Sequence, residues 1–68
     1  TRQYVSIRIF DLLGREVISL VDEVQDVGRH RVSWNGKNWS GEIAASGVYF
    51  YRLQTPNFVE TKKLVHIR

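Results

Sequence analysis

Sixty-eight residues, 43% of them apolar and 25% charged, make one small domain of ordinary globular composition, spanning residues 1–68. Ten Lys/Arg against seven Asp/Glu give a mild net charge of +3, and the absence of cysteine excludes a disulfide framework and a thiolate metal site. No apolar run approaches the ~18 residues of a membrane-spanning helix, so membrane insertion is not expected, and no signal-peptide pattern opens the chain.

The pattern is strand-like nearly throughout. Val5, Ile7 and Ile9 alternate with Ser6 and Arg8, the period-two signature of a half-buried strand. Asp11-Leu12-Leu13-Gly14 reads as a hairpin turn in which Gly14 supplies a positive φ. Glu16 to Val21, rich in β-branched residues, is the return strand. Asp22 to Gly28 reads as a polar loop with room for one helical turn over 22–26.

A third strand is expected from Arg29 to Trp34, with His30, Val32 and Trp34 on one face. The Gly- and Ser-bearing stretch 35–46 is the longest irregular segment, with a short edge strand predicted at Glu42-Ile43-Ala44. Val48 to Gln54 is the clearest strand, Pro56-Asn57 the next turn, and Phe58 to Ile67 the last strand. Adjacent apolar Leu64 and Val65 predict that this strand is buried on both faces near its end or carries a bulge. Five strands, a sixth short one and no convincing helix imply an all-β fold, a small sandwich or barrel.

Charge is distributed unevenly. Asp22, Glu23 and Asp26 gather in the first half, while Lys62, Lys63 and Arg68 make the C-terminal strand basic. The remaining cations are scattered singly, and strand 47–54 carries only Arg52, so nucleic acid is not an expected partner.

Catalytic chemistry finds little to work with. Ser46 precedes Gly47, but no Gly-x-Ser-x-Gly elbow surrounds it, and Asp11 and Glu16 flank an ordinary hairpin turn. No catalytic residue, metal site or cofactor is therefore expected. His30 and His66 are isolated in sequence, and Asn35, Asn38, Ser40 and Glu42 lack the dense carboxylates of a calcium loop. Tyr49, Tyr51 and Leu53 share one strand face and Val48 and Phe50 the other, so one row is core. The outward row, with Trp39 in its loop, is the candidate ligand surface: Trp39 and Phe50.

Four blocks in order carry a family resemblance. Ile9-Phe10-Asp11-Leu12-Leu13-Gly14-Arg15-Glu16-Val17, Gly28 to Gly36, Ala45-Ser46-Gly47-Val48-Tyr49-Phe50-Tyr51-Arg52-Leu53 and Thr61 to Arg68 span nearly the whole chain. Together they resemble the Ig-like C-terminal modules of secreted bacterial proteins: the type IX secretion sorting domains and the Ig-like domain of the flagellar hook-capping protein. Asn35 stands where that pattern usually has an acidic residue.

The resemblance implies an Ig-like antiparallel β-sandwich lacking its first strand, because the family's leading segment has no counterpart ahead of Thr1. The strand-like sequence so close to Thr1, and the lack of a polar tail after Ile67-Arg68, likewise read as a piece of a larger protein. It further implies a non-catalytic sorting and anchoring module for a secreted or cell-surface cargo, exported via the periplasm. Lys62, Lys63 and Arg68 would then form the recognition strand presented to outer-membrane secretion machinery. Other expected partners are upstream domains of the same polypeptide and, through an open sheet edge, a second copy. Accessory carbohydrate binding and a spacer or assembly role are the alternatives.

Overall fold

Val5, Ile7 and Ile9 put three apolar side chains on one face of strand β1 (Arg2–Phe10), and the fold is built around that row. The computed structural model describes residues 2–26 and 32–67. β1 pairs antiparallel with β2 (Glu16–Asp26) on one side and with β3 (Gly47–Thr55) on the other, and β3 pairs with β4 (Phe58–His66). The result is one four-stranded antiparallel sheet in the order β2-β1-β3-β4, with no helix among the described residues.

Residues directly opposite in an antiparallel pair share a face. Ile9 lies opposite Tyr51 and Ile7 opposite Leu53, while Tyr49 faces Leu64, so these side chains form the inner face. Phe10 opposite Phe50 and Arg8 opposite Arg52 form the outer face, where the Arg52 guanidinium sits 4.7 Å from the centre of the Phe10 ring. The Tyr49-Tyr51-Leu53 row is thus the core row of β3.

Two bulges reconcile β2's continuous apolar run with a sheet that has one covered face. The register jumps between Ile7 and Arg8 and between Ile9 and Phe10, leaving Leu20 and Val17 without direct partners. Val17, Ile18 and Leu20 can then all pack against the core.

Among the described residues the second layer is the folded segment 32–46, and the whole fits the expected all-β, β-sandwich fragment. Trp34 donates from Nε1 to the Lys37 carbonyl at 2.9 Å, the Ala44 amide donates to Gly36 at 2.7 Å, and Lys37 and Ile43 form an isolated bridge. Ala44 is buried beneath it with Ile9 and Tyr49. Among the described residues this segment covers only part of the inner face. Beside it an apolar groove of about 400 Å³ remains, lined by Ile7, Leu20, Tyr51, Leu53 and Leu64 with Val32 and Trp34.

Several expectations need correction. The polar stretch from Asp22 is strand as far as Asp26, not loop or helical turn, because each of its residues pairs with Arg2 to Ser6 of β1. Of the expected third strand, Arg29–Arg31 lie outside the described residues, and Val32–Trp34 belong to no strand. Glu42–Ala44 contributes one bridge rather than an edge strand. Near the end of β4, Leu64 is half-buried while Val65 is 67% exposed, and the β3–β4 register runs without a bulge. Simple alternation at an edge strand therefore explains that apolar pair.

Candidate functional site

β4 is the site that the sequence singles out, and its position in the sheet decides what it can do. Among the described residues it pairs only with β3, which leaves its other side, with its backbone N–H and C=O groups, as an edge of the sheet. Alternation sends Lys62 to the inner face opposite Tyr51 and Lys63 to the outer face opposite Phe50. Both are exposed. Lys62 Nζ lies 3.0 Å from Glu60 Oε1, two residues back on the same face. That hydrogen bond, then the Glu60 charge and the Tyr51 phenol beyond it, holds the ammonium above its ordinary pKa. Arg68 lies outside the described residues.

His66 closes β4 by docking on the loop layer. Its ring lies tilted against Trp34 with centroids 4.7 Å apart and meets Tyr49 edge-on at 6.0 Å, and Nε2 lies 3.2 Å from the Ala44 carbonyl. The sequence reading missed this role, because nothing local signals that His66 meets residues more than twenty positions earlier. His30, expected beside Trp34, lies outside the described residues.

Trp39 and Phe50 do not come together. Phe50 is half-buried on the outer face beside Phe10 and Lys63. Trp39 is 63% exposed in a shallow cleft on the Tyr49 side, with Asp11, Arg15, Val17, Asn38 and Ser40. Its backbone is held firmly, the Trp39 amide donating to Val17 at 3.2 Å. Asn38 Oδ1 accepts from the Ser40 and Glu42 amides, and Asn35 Oδ1 from the Lys37 amide. The two asparagine oxygens considered for calcium are thus engaged in turn formation. Among the described residues no group of three or more His, Cys, Asp or Glu is placed to hold a metal.

The Asp11–Gly14 turn is as expected. Asp11 Oδ1 accepts from the Leu13 and Arg15 amides at 2.9 and 3.0 Å, and Oδ2 takes Arg15 Nε at 2.9 Å. The backbone bond from Arg15 leads the effects that hold the Asp11 carboxyl below its ordinary pKa, although partial burial opposes them.

With this geometry in hand, comparison with known families is decisive for the fold. The family model of the FlgD Ig-like domain matches residues 2–57, most of the chain. The chain belongs to the FlgD Ig-like domain family. No curated protein and no solved structure gives a significant match. The matched stretch runs from β1 through the β3–β4 turn. In this FlgD-type Ig-like domain the basic strand β4 therefore follows the matched part, and its role rests on its own geometry.

Proposed function

We propose that this Ig-like domain is a non-catalytic sorting and anchoring module, placed at the C-terminus of a secreted protein and directing it through outer-membrane type IX export to the cell surface. The observation that carries the reading is the β4 edge with Lys62 and Lys63 projecting from opposite faces, both solvent-exposed. Packing does not demand two adjacent lysines on an edge strand. An extended edge offers main-chain hydrogen bonds for strand addition, and the flanking side chains supply selectivity. The likeness of residues 61–68 to the terminal block of the sorting modules, which lies outside the matched stretch 2–57, adds support to that reading.

The test is a reporter fused ahead of the chain and expressed in a host with a type IX system. The reporter is expected at the cell surface, and Lys62→Glu with Lys63→Glu is expected to leave it in the periplasm. Surface delivery unchanged by the double substitution would remove β4 from the mechanism, and no delivery of the parent fusion would remove the sorting role.

A second reading, accessory carbohydrate binding, is favoured by the exposed indole of Trp39 beside Asn38, Ser40 and Arg15. It predicts that soluble oligosaccharides alter tryptophan fluorescence and that Trp39→Ala removes the response.

A further inference from the structure

Among the described residues β2 and β4 are the two edges of the sheet, and they carry opposite charge. The β2 edge carries Asp22 and Glu23, and the β4 edge carries Lys62 and Lys63. The early part of β2 is covered where Val17 accepts the Trp39 amide, so its available stretch lies beyond. We propose that copies of this chain associate head to tail, β4 of one pairing antiparallel with the Val21–Gln25 stretch of β2 in the next. This goes beyond the sorting reading and concerns the same β4 edge, but it does not depend on export.

Three observations converge on that arrangement. Every neighbouring pair in the sheet is antiparallel, so strand direction alternates across β2-β1-β3-β4 and the two edges run in opposite senses. Setting a second sheet beside the first, without inverting it, therefore brings β4 antiparallel to β2 and continues the pattern. Next, a single register places Lys63 opposite Asp22, Lys62 opposite Glu23 and Leu64 opposite Val21.

The faces agree in that register. Lys62 (opposite Tyr51) and Glu23 (opposite Val5) both belong to the inner face, and Lys63 (opposite Phe50) and Asp22 (opposite Ser6) both belong to the outer face. Leu64 and Val21 carry the apolar inner row across the junction. Lys62 keeps Glu60 as a same-strand neighbour while it faces Glu23 of the adjoining copy.

Symmetric alternatives are disfavoured by the same charges. Two β4 strands in full antiparallel overlap set Lys62 against Lys62, and two β2 stretches centred on Glu23 set carboxylate against carboxylate. Like charges directly opposite destabilise a strand pair. A heterologous contact does not close on itself as a two-fold dimer, so it yields a chain or ring of copies.

Sedimentation equilibrium of the purified chain tests this. The average mass is expected to rise with concentration past that of a dimer and to fall at high salt, as screening weakens the edge charges. Lys62→Glu with Lys63→Glu, and separately Asp22→Lys with Glu23→Lys, are each expected to weaken association about tenfold or more. An equimolar mixture of the two variants, whose edges are complementary only to each other, regains it.

Should a reversal disturb the β-sheet circular dichroism, Lys62→Gln with Lys63→Gln and Asp22→Asn with Glu23→Gln provide the weakened pair instead. A chain monomeric at every concentration, a mass that stops at the dimer, or association indifferent to both edges would overturn the proposal. A monomeric chain that still exports its reporter sinks this pairing and leaves sorting intact, and an associating chain that fails to export does the reverse.

Discussion

The His66 imidazole lies against the Trp34 indole with ring centroids 4.7 Å apart, and this contact ties the last strand to the loop that covers the core. Trp34 in turn meets Tyr49 edge-on at 5.2 Å, so one aromatic cluster joins β3, β4 and the 32–46 layer. This aromatic clamp holds the 32–46 segment to the inner face of the sheet. Tyr49 anchors the cluster further by donating its hydroxyl to the Ala45 carbonyl at 2.6 Å.

Gly36 is where that clamp is most easily broken. It has φ of 80°, and a Cβ there would come within 2.6 Å of His66 Cε1. Gly14 has φ of 82° with nothing within 4 Å of the same added atom, so it isolates the conformational cost alone. Gly14→Ala is expected to cost about 1–2 kcal/mol. Gly36→Ala adds displacement of the His66 ring and is expected to cost about 2–4 kcal/mol. Urea denaturation of both variants reads the difference directly. Equal costs would mean that the ring does not abut Gly36.

Ile9 carries the largest share of the core. It is 2% exposed, and no other described side chain is so completely buried. Ile9→Ala is expected to cost about 2–5 kcal/mol through lost transfer energy and the cavity left behind. Net stability of about 0.05–0.15 kcal/mol per residue makes that loss a large fraction of the total for so short a chain. Val65→Ala, two-thirds exposed on the outer face, is expected to stay within about 0.5 kcal/mol of the parent. Thermal melts followed by circular dichroism compare the two, and similar melting temperatures would contradict the core assignment.

Those two residues also show how far sequence reasoning reaches here. Ile9 was legible because Val5-x-Ile7-x-Ile9 alternates cleanly, and strand type follows from that period. The Asp11–Gly14 turn was legible from equally local signals, as was the division of β3 into two rows, of which the structure shows Tyr49-Tyr51-Leu53 to be the core row. Two things were not. The Asp22–Asp26 stretch looks like a loop by composition, yet pairing with Arg2–Ser6 makes it strand, a tertiary effect that overrides local preference. The Leu64–Val65 pair suggested two-sided burial, but whether a strand is central or at an edge is not written in its own residues. At the candidate site, the exposed lysines of β4 were legible as a charge cluster, whereas their division between two faces followed only from the β3 register.

Trp39 and Trp34 divide the chain's two indoles between solvent and core. Trp39 is 63% exposed, while Trp34 sits in the clamp and donates to Lys37. Trp39→Phe is expected to change stability by less than about 1 kcal/mol, because the backbone bond to Val17 survives the substitution. Emission from the remaining Trp34 should lie at shorter wavelength than that of the parent. Trp34→Phe removes a half-buried indole and its hydrogen bond, so a loss of about 1–3 kcal/mol is expected. A red-shifted spectrum in Trp39→Phe would reverse the assignment of the two rings.

Asp11 sets the acid sensitivity of the β1–β2 hairpin. Its folded-state pKa is depressed, chiefly by the Arg15 backbone bond, with the Arg15 side chain and the Leu13 amide adding to it. A depressed carboxylate stabilises the fold fully above its unfolded value of about 3.9 and loses that contribution as pH falls through the lower folded value. Asp11→Ala should therefore melt at a lower temperature than the parent at neutral pH, with the gap shrinking progressively below about pH 4. Asp11→Asn retains an oxygen for the turn amides and should fall between the two at neutral pH. Melting curves for the three proteins from neutral pH down to about pH 2 test the linkage. A gap that stays constant across that range would show that the ionised carboxylate contributes nothing beyond the shape of the turn.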